Sequence, residues 1–130
     1  TSRTEGFLCY MKEQGFEPVG RINVRKSGRA FAAQLARELA SVSQDFNCVY
    51  GSDGILSDLC LAIQKLKRTD TVTCIGFEAV PQRYASLVSA TVVQDVYAQG
   101  RAAASAAIEY LQKDVLPGTK MNYIASKIIF

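Results

Sequence analysis

Short apolar runs alternate with segments of helical period along this chain, and that alternation is the strongest constraint on its fold. The clearest run is Thr73-Cys74-Ile75-Gly76-Phe77, closed by Glu78. A strand with so few charges suits a parallel sheet covered on both faces. A second run, Ala90-Thr91-Val92-Val93, ends in Gln94-Asp95 and leads into a helix that begins near Tyr97. Further strands are expected at residues 19–24, 46–50 and 121–130. The intervening residues 2–14, 27–42, 55–67 and 97–111 carry apolar side chains three and four apart, the mark of helices with one buried face. Residues 81–87 read as one more short helix. Gly15 stands where a left-handed residue closes the first helix. Ser27 and Asp53 stand where oxygen-bearing side chains cap the second and third. Strands alternating with helices imply the α/β class, with a doubly wound, mostly parallel sheet.

Composition narrows the function more than the fold. At 130 residues the chain is one domain or a piece of one. Its formal charge of +3 is spread among acids, without the basic stripe that nucleic-acid binding needs. No apolar run approaches the roughly 18 residues of a membrane span, so no membrane partner is expected. There is no signal peptide, and the first residue is not Met, so the chain reads as an excised fragment. Cys9, Cys48, Cys60 and Cys74 contain no C-x-x-C pair, which argues against zinc or thioredoxin chemistry. Cys48, Cys60 and Cys74 lie in apolar patterns and are expected to be buried free thiols. Such thiols favour a reducing compartment, hence the cytoplasm, with two disulfides as the rival arrangement.

The chain has no histidine. That removes a Ser-His-Asp triad, a Cys-His dyad and a His-ligated metal site. There is neither a Walker loop nor a G-x-G-x-x-G fingerprint, so no cofactor is expected. What remains is polar groups at strand ends, the place where open α/β sheets bind ligands. Asp53 and Glu78 close neighbouring strands. They could work as an acid/base pair, or accept hydrogen bonds from ligand hydroxyls. With nothing nearby to act as nucleophile, binding is preferred to catalysis, and no catalytic residue is assigned. Each acid could equally be a solvated residue at a helix start. Gln94, at the end of an apolar strand, needs partners if buried. Arg3 lies in the first turn of a helix, where the dipole disfavours a cation unless an anion or ligand meets it.

These residues, in this order, resemble the second half of the ligand-binding domain shared by type I periplasmic sugar-binding proteins and lac-repressor-type transcription regulators. Arg3-Thr4-Glu5-Gly6-Phe7 looks like the family's R-x-x-G-F. Val49-Tyr50-Gly51-Ser52-Asp53 is similar to a strand and turn that usually end in Asn-Asp, and Ile75-Gly76-Phe77-Glu78 resembles G-F-D. Residues 90–95 with Gly100-Arg101 match the crossover strand and its helix. The resemblance implies a sugar or small polar metabolite held between two lobes by Arg3, Ser52, Glu78 and Gln94, with Asp53 added as a candidate ligand-binding residue from its place at a strand end. It implies an effector-binding domain of a transcription regulator, touching DNA only through a domain outside this chain. A periplasmic solute-binding protein, and a small α/β enzyme using Asp53 and Glu78, are the alternatives. Ser52 stands where the family has Asn, and Glu78 reaches one methylene further than Asp. The resemblance further implies a division in which residues 1–92 plus 119–130 form the C-terminal lobe. Residues 93–118 then belong to the N-terminal lobe. A homodimer is expected, with Leu56, Leu59 and Ile63 as a candidate dimer face, or else packed on their own sheet.

Overall fold

The computed structural model describes residues 2–25, 28–114 and 125–130. Among the described residues four helices and four strands follow in the order α1 (Ser2–Glu13), α2 (Phe31–Ala40), β1 (Cys48–Tyr50), α3 (Leu56–Lys65), β2 (Thr73–Phe77), β3 (Val88–Val93), α4 (Val96–Lys113) and β4 (Lys127–Ile129). Short 3-10 turns at Gly28–Ala30 and Gln82–Leu87 precede α2 and β3. The sheet runs β1-β2-β3-β4, with the first three parallel and β4 antiparallel to β3. This is the α/β, mostly parallel architecture that the alternation predicts.

The core lies on one face of that sheet. Phe31, Leu35 and Leu39 of α2 interlock with Leu56, Leu59, Cys60 and Ile63 of α3, and α3 covers Cys74 of β2. Each large apolar side chain buried this way stabilises the fold by about 1.5–3 kcal/mol. Tyr84 and Leu87, from the turn before β3, close the end of the cluster. Along β2, Cys74 and Gly76 are buried while Thr73, Ile75 and Phe77 are half-buried. The second face of the sheet is thus less covered than a doubly wound sheet requires. Leu56, Leu59 and Ile63 are 2%, 3% and 0% exposed, so the α3 face is spent on the chain's own core and offers no dimer contact.

Local chemistry explains where several elements stop. α1 ends as its sequence predicts: Gly15 has φ 79°, and Phe16 N–H reaches back to the Met11 carbonyl at 2.9 Å. Asp95 caps α4, its Oδ1 accepting from Ala98 N–H at 2.8 Å. Asp53 does not cap α3 as expected. The residue before that helix is Ile55, and Asp53 offers its main-chain carbonyl to Ile55 N–H at 2.7 Å. Ser27 lies outside the described residues, and so do residues 121–124 of the expected last strand.

Two expectations fail at the edge of the sheet. Residues 19–24 make no strand. Ile22 and Val24 are half-buried against the core, but the segment stands off from β1 across a cavity of about 270 Å³ lined by Phe7, Met11, Val19, Leu39, Phe46 and Cys48. Alternating apolar residues supply strand propensity, yet a strand exists only where a partner's backbone takes its hydrogen bonds. Because β1 is left as the edge, Cys48 is exposed rather than buried, like Cys9, whereas Cys60 and Cys74 are buried free thiols.

At the other end, α4 buries none of its residues. Val96, Tyr97, Ile108 and Leu111 all face solvent, Leu111 at 81% exposure.

Candidate ligand-binding site

The parallel pairing of β1 with β2 brings their carboxyl ends level. Tyr50 is the register partner of Ile75, and the ladder continues one step as Gly51 N–H donates to the Ile75 carbonyl at 3.0 Å. Gly76 is required by this approach, because a Cβ there would lie 3.0 Å from the Gly51 carbonyl oxygen and 3.3 Å from Leu56. Beyond the two strands come Ser52-Asp53 and Glu78, side by side as expected. A Cβ on Gly54 would sit 3.8 Å from Cγ of Glu78, so the Glu78 side chain lies over the turn that starts α3.

α1 delivers Arg3 to the same place. Its Nη1 donates to the Ser52 carbonyl at a long 3.4 Å, and its guanidinium carbon lies 4.2 Å from the centre of the Phe77 ring. Tyr50 Oη donates to the Arg3 carbonyl at 3.3 Å. Burial pushes the Tyr50 phenol up from its ordinary value, Arg3 pulls it down, and Asp53 pushes it up again. Both charges therefore act on the phenol. Ser52 Oγ points at Asp53 Oδ2, 3.4 Å away. Asp53 is exposed; Arg3, Tyr50, Ser52, Phe77 and Glu78 are half-buried, as suits the floor of an open cleft.

Glu78 carries an unusual backbone. Its φ of 75° is in the left-handed region, which costs a side-chain-bearing residue about 1 kcal/mol or more. Two bonds to β3 hold it there: Glu78 N–H donates to the Val92 carbonyl at 3.0 Å, and Thr91 Oγ1 donates to the Glu78 carbonyl at 2.7 Å. Thr91 is 7% exposed, so this hydroxyl is a buried anchor.

Four of the five site residues expected from sequence thus converge: Arg3, Ser52, Asp53 and Glu78. Gln94 engages α4 instead, its side-chain oxygen accepting from Gln99 Nε2 at 3.4 Å, and its carbonyl accepting from Val96 N–H. Sequence reasoning missed Tyr50 and Phe77 as site residues. Their signal was present, since each is an aromatic at the last position of a strand, directly before the turn or acid that was singled out. The arrangement offers donors from Arg3, acceptors from Asp53 and Glu78, and ring surface from Tyr50 and Phe77. Among the described residues no group of three or more Cys, Asp or Glu side chains could hold a metal ion, and no helix is long and apolar enough to cross a membrane.

A mostly parallel α/β sheet with polar groups at its strand carboxyl ends is common to open α/β ligand-binding folds, and the likeness to solved structures makes this one periplasmic-binding-protein-like in fold. Two solved structures share it. One is GanP, a glucose-galactose binding protein from Geobacillus stearothermophilus, 24% identical with a TM-score of 0.63 over 75% of this chain and 36% of that one. The other is a mutant form of the XylFII–LytSN complex, 21% identical with a TM-score of 0.60 over 97% of this chain and 46% of its counterpart. The chain therefore spans less than half the length of either. No family model and no curated protein matches the sequence.

Proposed function

We propose that this chain is the C-terminal-lobe half of a two-lobed binding domain that holds a sugar or similar small polar metabolite, the effector of a transcription regulator. The observation that carries the binding reading is the convergence of Arg3, Asp53 and Glu78 with Tyr50 and Phe77 at the carboxyl ends of adjacent parallel strands. Glu78 and Asp53 accept from ligand hydroxyls, and Arg3 donates its planar fork to ligand oxygens. A likeness in fold to a glucose-galactose binding protein supports the choice of a sugar.

The division of the chain follows from the same reading. Residues 1–92 plus 119–130 are assigned to one lobe and residues 93–118 to the crossing to the other, with 115–124 lying outside the described residues. The bare apolar side chains of α4 suit a helix whose packing partners lie in that second lobe. Closure of the lobes on the ligand is driven by the ligand's greater affinity for the closed state. The free thiols Cys60 and Cys74 favour a cytoplasmic regulator. The likeness to GanP, itself a binding protein, favours the alternative of a solute-binding protein serving a transporter or sensor. In either case the chain binds and does not catalyse.

The test is calorimetry of the full-length protein with D-glucose and D-galactose, alongside Glu78→Gln. Binding that falls at least tenfold in the variant, with sugar recovered unchanged, is the expected result. Turnover that depends on Glu78 or Asp53 would make the protein an enzyme and end this proposal.

A further inference from the structure

Arg3 reaches the site on an element that buries none of its residues. Its ring and polar contacts with the sheet follow one column. Phe7 stacks on Tyr50 with centroids 3.9 Å apart and planes 4° from parallel; Tyr50 meets Phe77 edge to face at 6.2 Å; the Phe77 face receives the Arg3 guanidinium. The far end of that column is rigid, because Phe77 is in register with Val92 and the next N–H, that of Glu78, is bonded to the Val92 carbonyl.

We propose that Phe77 is the positioning residue for Arg3, fixing the plane of its guanidinium so that the in-plane N–H edge is presented to the ligand. The inference rests on the reading that Arg3 contacts the ligand. A guanidinium lying on an aromatic face keeps its in-plane donors available for bidentate bonds. The attraction between cation and ring quadrupole strengthens as water is excluded. An arginine already held in its bound orientation loses less rotamer freedom when the ligand arrives. Leucine at position 77 would occupy the space without the quadrupole; tyrosine would keep it.

The experiment compares the full-length protein with Phe77→Leu, Phe77→Tyr, Arg3→Ala and the Arg3→Ala/Phe77→Leu double variant, using two readouts. The first needs no ligand: NMR of the Arg3 δ-protons, which a ring beneath the guanidinium shifts upfield. The shift is expected in the wild type and in Phe77→Tyr and is lost in Phe77→Leu. Unshifted δ-protons in the wild type overturn the proposal whatever the stability of the variants. The second readout is calorimetry with D-glucose and D-galactose. Phe77→Leu is expected to weaken binding about tenfold, Phe77→Tyr to restore it, and Phe77→Leu to add nothing once Arg3 is alanine. Losses that add in the double variant mean that Phe77 touches the sugar itself, and the proposal falls. If neither sugar binds the wild type, it is the sugar reading that fails, and the ring shift still decides whether Phe77 positions Arg3.

Discussion

Glu78 combines a left-handed backbone with a half-buried side chain beside Gly54. Replacing it with glycine relieves about 1 kcal/mol or more of backbone strain against an entropy cost of about 0.5–1 kcal/mol. Glu78→Gly is therefore expected to leave the urea midpoint unchanged or to raise it, while removing the acceptor for the ligand. A clear drop in the midpoint would show that the carboxylate serves stability instead. The acid at the strand end was legible in the sequence, because it closes an apolar run. Its backbone conformation was not, because the two groups that enforce it, the Val92 carbonyl and the Thr91 hydroxyl, come from a different strand. Arg3 shows the same split. An oddly placed cation at a helix start is visible in sequence; the ring of Phe77 beneath it is visible only after β2 and α1 meet.

At the scale of elements, the close contact of β2 with the turn after β1 sets the geometry of the site. Gly76→Ala would place a Cβ 3.0 Å from the Gly51 carbonyl, a main-chain atom that can yield only if the strand ends separate. The expected cost is about 1–3 kcal/mol in denaturant unfolding, with weaker ligand binding because Glu78 moves relative to Ser52. Gly54→Ala, whose Cβ meets an ordinary 3.8 Å contact, is the control and stays within about 0.5 kcal/mol. The thiols report on the same elements. A disulfide reagent is expected to modify Cys9 and Cys48 in the folded protein, and Cys60 and Cys74 only on unfolding. Cys9 reacts more slowly than a free thiol, since its hydrogen bond to Glu13 and that residue's charge push its pKa up. Protection of Cys48 would mean that residues 19–24 pair with β1 in solution. Helices α2 and α3 were legible because a run of positions three and four apart commits one face to burial. The segment 19–24 was misjudged because alternation shows which side chains face inward, not whether a neighbouring backbone is close enough to complete a ladder.

The whole molecule is unevenly held. α2, α3 and β2 share the buried cluster, while α4 contributes no buried side chain. In hydrogen exchange of the isolated chain, amides of α3 are expected to be protected close to the global unfolding limit, and those of α4 to exchange far faster. Equal protection would mean that α4 finds a partner within this chain and would remove the support for a second lobe. The sequence by itself determined the class of fold, the order of the elements apart from the strand expected at 19–24, the core faces of α2 and α3, and the presence of acids at adjacent strand ends. Each of these depends on residues close together in the chain, whose spacing sets periodicity and polarity. The tertiary structure alone decided that β1 forms the edge of the sheet, that the apolar face of α3 is closed to a dimer partner, and that Gln94 turns to α4. It alone decided, too, that Tyr50 and Phe77 join Arg3 in one column. Those outcomes depend on which backbones and rings from separate elements meet in space, or, for Gln94, on the direction the chain takes after β3, and no local pattern encodes either.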